Sequence, residues 1–525
     1  MQSGLAVGDR GGGGGQTSLS GAAATGYARR RPELTTLHRV VRESLLTLYA
    51  AVEDGGTGAS LPAFVRKELD GYVACGLLSR GFARVLCSTP GCGESRLVAF
   101  SCGGRGICPS CLGRRMCQTT ANLLDHVLPK VPLRQWVLTL PHALRRRVAY
   151  DGNVFSKVSR QFTESVLGWY RRRLTNEGAP AGRGGAVVVM QRASSDLRCN
   201  SHLHGVFLDG LFVMGPDAVP VFRALPRLST TDAAEVLQIV RARVVRRLVR
   251  LGVLAFSDDD ATVVDDVDTE PTLSQLAAAA IAGLPPAGPE VRRGRLPITL
   301  RGQPGVTVRA PRCVEEQGFT LHANTCAGAE DERGREALLQ YVLRPPIANE
   351  HVQEGPEGLV RILLKRPFSD GTTAIDMDPL SLLCRLATLV PPPRLHTVRY
   401  AGVVSSASTW RALVIPPPPP APNGPTPGAP LADGKRPKTG KRSRYWRWAQ
   451  LLARTFGLDP EICDRCGGPM KIVALVTEPE NIARYLRHLD EPEPPPLSPA
   501  RGPPYYQSRV LRRRPSPHQT EMFDA

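Results

Sequence analysis

Three groups of residues in this 525-residue chain could do chemistry: a cysteine cluster, a histidine pair and one tyrosine. The cysteines are Cys87, Cys92, Cys102, Cys108 and Cys111, the last two arranged as Cys-Pro-Ser-Cys. Sets of four thiolates suit Zn2+ in a closed tetrahedral site of the structural kind. The spacing offers Cys87/Cys92 and Cys108/Cys111 as facing pairs, with Cys102 as the alternate ligand. A metal-free, cysteine-rich core is the plain alternative. Cys463 and Cys466 form a separate CxxC, half of a ribbon whose only later candidate ligand within the module is His488. That half-site is open to a second zinc or to a simple knuckle turn.

His202-Leu203-His204 is the second group. On a strand, residues two apart share a face, so both imidazoles can converge on one ion while Leu203 points into a core. Two imidazoles suit Mg2+, Mn2+ or Zn2+ only with further ligands. Gln191, on the preceding strand, could reach the same place as a third. Two histidines paired by chance on a strand face remain the alternative. Tyr341, followed by Val-Leu-Arg344-Pro345-Pro346, is the third group. A phenolic oxygen is a competent nucleophile toward phosphorus when a metal polarises the target. Alone, such a tyrosine is an ordinary core or surface residue; beside the histidines it gains meaning.

The elements that must position these groups are legible in outline. Residues 34–78 carry apolar residues at helical spacing, and the helix after the cysteines stops at Pro129. Arg134–Pro141 reads as a buried strand, and a helix spans about Val154–Leu174. Strands follow at Ala186–Gln191 and His202–Val213, the latter with Asp209-Gly210 as a turn signal. Asp232–Leu251 is an amphipathic helix, and the Tyr341 helix runs from about Asp331 to Pro345. Residues 358–376 have a hairpin pattern, and PLSLLCRLATLV is a helix ended by prolines. Strands paired next to helices point to an α+β fold with an antiparallel sheet.

The domain reading is a disordered tail at 1–32, a helical, zinc-binding unit at 33–125, and a main domain at 126–413 with an insertion at about 215–300. A Pro-rich basic linker (414–444), a small CxxC module (445–490) and a second disordered tail (491–525) complete it. Six further cysteines (Cys75, Cys117, Cys199, Cys313, Cys326 and Cys384) read as small core residues.

A formal net charge of +19 makes a polyanion the first partner to consider, nucleic acid ahead of an anionic membrane surface. No apolar run approaches a membrane span, and no secretory pattern opens the chain. A cytoplasmic, nucleoid-associated protein is the expectation. Arg145–Arg147, Arg171–Arg173, Arg246–Arg247 and the Lys435–Trp448 stretch are clustered cations for nucleic-acid contact or for a solvated face.

Taken as an ordered set, QWVLTLP, VVMQR, NSHLHGVFLDG, YVLRPPIA and LVPPPRLHTVRYAG resemble the HUH rolling-circle transposases of bacterial insertion sequences. FARVLC…LVAFSCGGRGICPSCLGRRM is similar to the zinc-binding domain that precedes the nuclease in that family. The resemblance covers roughly residues 80–415. It implies an HUH-endonuclease-like antiparallel sheet and single-stranded DNA as partner. It also implies that His202 and His204 hold a catalytic Mg2+ or Mn2+ while Tyr341 attacks to leave a 5′-phosphotyrosine link. Some relatives carry a second tyrosine one turn later, where this chain has Pro345. In such a site Arg344 is expected to hold a phosphate or assist the tyrosine, and Arg394, His396 and Arg399 to contact DNA. A replication initiator or relaxase of the same chemistry, a non-catalytic zinc-dependent DNA-binding protein, and a metal-dependent hydrolase using only the histidines are the rival readings.

Overall fold

A computed structural model describes residues 30–54, 60–257, 260–264, 272–276, 305–415, 461–489, 491, 494–505 and 510–513. Most of the expected N-terminal tail, nearly all of the Pro-rich linker with the Lys435–Trp448 stretch, and part of the expected insertion lie outside the described residues.

The chain opens with helices α1 (Thr36–Glu53) and α2 (Ala63–Ala74), then an antiparallel hairpin of β1 (Phe82–Cys87) and β2 (Ser95–Ala99). Helix α3 (Pro109–His126) starts at Cys108, with proline in its first turn where no N–H is needed. The main part follows as β3 (Leu133–Thr139), α4 (Gly152–Asn176), β4 (Gly185–Ala193), β5 (Cys199–Leu208) and α5 (Thr230–Arg250). Asp151 starts α4 by accepting from the N–H groups of Asn153 and Val154, and Ser229 with Asp232 forms a capping box on α5. Next come β6 (Thr307–Ala310), β7 (Cys313–Glu316), β8 (Phe319–His322), α6 (Glu332–Leu343), α7 (Pro379–Leu389) and β9 (Val398–Gly402). Beyond residue 460 lie β10 (Met470–Val476) and α8 (Pro479–His488).

The central sheet runs β6-β7-β8-β3-β5-β4-β9, with Cys326–Ala327 also paired to β3. Every strand pairing among the described residues is antiparallel. The protein is thus a mixed α/β chain with antiparallel sheets. Strand alternation gives the central sheet two buried faces. Trp136, Leu138, Val188, Met190, Leu203 and Phe207 form one core with α4 and α5. Leu133, Val187, Val189, Val206 and Leu208 form another with α3 and α6.

Several expectations change. Asp209-Gly210 does not fold a hairpin back on β5: Gly210–Met214 pairs with Gly182–Arg183 and Pro220–Ala224 in a separate sheet. The reason lies in Asp209, whose carboxylate is buried in a two-pronged ion pair with Arg134 (Nε–Oδ1 and Nη2–Oδ2 both 2.8 Å). Helix α5 falls inside the expected insertion, yet Val236, Leu237, Val240, Val244 and Leu248 are fully buried in the main core. The CxxC segment is not a free-standing unit, because β10 pairs with β1 to make a three-stranded sheet. The expected C-terminal tail also has placed parts: Leu511–Arg513 pairs with residues 374–376, and the N–H of Arg501 donates to Thr47 Oγ1 (3.0 Å).

Candidate functional site

His202 and His204 stand on β5, on the sheet face that packs against α3 and α6, while Leu203 between them is fully buried in the opposite core. Gly205 follows. A Cβ there would come within 2.4 Å of the Phe207 ring, so only glycine lets the Phe162–Phe207 edge-to-face pair close up beneath the histidines. The two imidazole centroids are 4.8 Å apart. The Tyr341 ring meets His204 edge-on at 5.9 Å and is about half exposed, and the Arg344 guanidinium lies 4.2 Å above that ring. Histidines, tyrosine and arginine therefore form one cluster.

The hydrogen bonds decide which imidazole nitrogens are free. His202 Nδ1 lies 2.7 Å from the carbonyl oxygen of Asn200. A carbonyl only accepts, so Nδ1 carries the proton and Nε2 keeps its lone pair. His204 Nδ1 sits 2.7 Å from Gln135 Nε2, an amide group whose nitrogen and oxygen ends exchange by a half-turn, and His204 Nε2 is buried with no partner. With the Gln135 oxygen turned to Nδ1–H, His204 presents the same free nitrogen. An orphaned nitrogen beside a second imidazole of fixed tautomer is the donor set a divalent cation takes. Burial, opposed by the Asn200 carbonyl and reinforced by Arg344 and Arg145, holds His202 down at about 4. Burial, followed by His202, Arg344 and His322, holds His204 well below the usual histidine range. Both are neutral at pH 7, as metal ligation requires.

Gln191 faces His202 across the β4–β5 pairing. Its amide nitrogen donates to the carbonyls of Tyr341 (3.2 Å) and Val342 (2.7 Å), the unsatisfied end of α6. The residue expected as a third ligand thus grips the turn that carries the tyrosine. Gln135 was not anticipated; only its place opposite the His-Leu-His strand, on a strand read as wholly buried, could have signalled it.

A groove reaches this cluster at Gln191 and Arg344 and continues between α3 and the rim of the sheet. Arg105, Arg114, Arg115, Arg344 and Lys365 line it together with His396 and Tyr400, and no carboxylate does. Arg192 also borders it but is buried, its guanidinium donating to the carbonyls of Ala149, Thr388 and Leu389. Of the expected DNA contacts, only His396 lies in the groove. Arg394 is exposed outside it, and Arg399 turns to the other sheet face, 5.3 Å from the Phe155 ring. Arg172 and Arg173 on α4 pair with Glu235 and Glu177, so that cation cluster forms a solvated salt-bridged face.

The cysteines regroup. Cys75, Cys102, Cys108 and Cys111 form one cluster, with Sγ–Sγ separations of 3.7 Å (Cys75–Cys111), 3.5 Å (Cys102–Cys111) and 3.6 Å (Cys75–Cys108). Arg30 donates to the Cys75 carbonyl at 2.7 Å beside it. Cys102 is thus within the set rather than an alternate, and Cys75, read from sequence as a core residue, supplies the fourth sulfur from the end of α2. Cys87 and Cys92 face away from Cys108/Cys111 and meet Cys463 and Cys466. Both clusters suit Zn2+. His488, at the end of α8, joins neither set.

Residues 47–140 match the family model for a transposase zinc-binding domain, and residues 185–411 match the Y2_Tnp model, described as "Putative transposase". No curated protein and no solved structure matches the chain. No helix among the described residues is long and apolar enough to cross a membrane. With the zinc-binding model, which spans Cys75, Cys102, Cys108 and Cys111, ahead of the transposase model, which spans His202, His204 and Tyr341, the chain belongs to the family of insertion-sequence transposases of the IS91 type.

Proposed function

We propose that this transposase cuts and rejoins single-stranded DNA by phosphoryl transfer to Tyr341, the chemistry of the HUH rolling-circle enzymes. The observation that carries the reading is the convergence of two buried imidazoles, the Nε2 of His204 without a partner, on the tyrosine of α6. His202 and His204 would hold Mg2+ or Mn2+; such an ion, when bound, withdraws charge from the scissile phosphate. Tyr341 loses its proton and its oxygen forms the new bond to phosphorus. The strand's 3′-oxygen departs with a proton as a free hydroxyl. The phosphodiester energy stays in the 5′-phosphotyrosine link, so a later 3′-hydroxyl can rejoin without a nucleotide cofactor.

Gln191 positions the tyrosine by holding the carbonyls at the helix end. Arg344, above the phenol ring, attracts the phosphate. The carboxylate-free groove brings the strand in through its phosphates. An antiparallel sheet carrying the histidines with the tyrosine helix packed on the same face is the layout such a nuclease needs.

The test is adduct formation. Labelled single-stranded oligonucleotides from the element's own ends are mixed with the full chain and Mg2+ or Mn2+, then run on a denaturing gel. A slowed band is expected that vanishes with Tyr341→Phe, with His202→Ala/His204→Ala and with chelator. A band that persists in Tyr341→Phe would identify another nucleophile, and binding without any adduct would leave a DNA-binding protein without this chemistry.

A further inference from the structure

Cys463 and Cys466 lie beyond both family matches, which end at residues 140 and 411. We infer that they hold one Zn2+ jointly with Cys87 and Cys92, a shared site that clasps together the segments before and after the transposase domain.

The four sulfurs lie within 4.8 Å of one another. Cys87 Sγ is 3.5 Å from Cys466 Sγ, and Cys92 Sγ is 3.8 Å from Cys463 Sγ. A tetrahedron with zinc–sulfur bonds of about 2.3 Å has edges of about 3.8 Å. The contacts therefore have the spacing of ligands around one ion, far longer than the ~2.05 Å of a disulfide. Each pair sits on a tight turn. The N–H of Thr89 points to Cys87 Sγ at 3.5 Å, the N–H of Cys463 donates to the Gly468 carbonyl, and that of Gly467 donates to the Cys463 carbonyl, both at 2.8 Å. Gly467 has φ +69°, which the turn after Cys466 demands and glycine supplies.

The surroundings join the same two segments. β1 pairs with β10 from Phe82↔Val476 to Cys87↔Met470, so the strand pairing leads straight into the cysteines. Arg96 pairs with Asp464, and Arg465 donates to the Cys92 carbonyl at 3.1 Å. Phe82 and Leu78 pack on Val476, Ile482 and Leu486 of the C-terminal segment. That apolar contact is small, and β10 presents Ile472 and Leu475 two-thirds exposed. A metal supplies what so small a core cannot.

The test reads the thiols and the metal of the full chain in a His202→Ala/His204→Ala background, which removes the nuclease pair. Metal analysis should find two zinc ions per chain. Cys87→Ser/Cys92→Ser and Cys463→Ser/Cys466→Ser should each lose one, and the four-serine combination should still lose only one. Cys466 is exposed, so alkylation mapped by mass spectrometry gives an independent readout. Zinc should protect it until chelator is added, and Cys87→Ser/Cys92→Ser should abolish that protection although it leaves the C-terminal segment untouched. Cys75→Ser should leave Cys466 protected. The inference fails if the four-serine chain loses two zinc ions, if the Cys463/Cys466 pair costs none, or if Cys466 stays protected without Cys87 and Cys92.

Discussion

The groove beside Tyr341 permits a quantitative prediction, because the cations that line it can be counted. Arg105, Arg114, Arg115, Arg344 and Lys365 face it without a carboxylate among them. At about 0.7 counterions released per phosphate on single strands, five contacts give a log–log salt slope near −3.5, a roughly 130-fold weakening between about 50 and 200 mM salt. Replacing Arg114, Arg115 and Lys365 by glutamine leaves two, hence a slope of about −1.4 and roughly 7-fold weakening over the same range. Other basic residues of the chain add equally to both slopes, so the change of about 2 is the quantity to read. Fluorescence anisotropy of a labelled single-stranded oligonucleotide, titrated with the full chain without added Mg2+ or Mn2+, measures both. The triple variant should still form adduct at low salt once Mg2+ is supplied, since neither the histidines nor the tyrosine is altered. An unchanged slope would show that the strand takes another route, whatever becomes of absolute affinity.

Acidification should weaken the fold through the histidines. His202 is held at about 4 by burial against an ordinary value of 6.5, so between those pH values the unfolded chain binds more protons and stability falls as pH falls. Denaturant midpoints at pH 7 and pH 4.5, without added Mg2+ or Mn2+, should differ more for the wild type than for His202→Gln. Asp209→Asn leaves the buried Arg134 guanidinium without its counter-charge and should cost about 3–5 kcal/mol of stability in urea unfolding; a loss under about 1 kcal/mol would mean that the pair is solvated in solution. Gln191→Ala releases the carbonyls of Tyr341 and Val342 and should slow adduct formation with little change in oligonucleotide affinity; equal losses in both would make the residue a binding contact.

The local elements were written plainly in the chain. Apolar spacing and capping residues such as Asp151, Ser229 and Asp331 define α4, α5 and α6, and Pro345-Pro346 ends the tyrosine helix at Leu343, with Arg344 as its cap. Strand alternation put His202 and His204 on one face with Leu203 behind them. These are short-range matters of sterics and periodicity, and the residues concerned are neighbours in sequence.

What failed to read through was always a contact between distant segments. Asp209-Gly210 has the composition of a turn, but Arg134, 75 positions earlier, draws the aspartate inward and sends the chain to another sheet. Gln191 has the chemistry of a ligand, and the position of a helix end chose its partner. Cysteine spacing marks which thiols sit on a shared knuckle, as with Cys108/Cys111 and Cys463/Cys466, because that geometry is local. It carries no record of which knuckles meet: Cys75 arrives from a helix end and Cys463 from across the transposase domain. The sequence by itself determined the chemistry available and the faces that bear it. Only the tertiary structure decided which groups share a site, since closing a long loop brings thiols or imidazoles together through the packing of everything between them.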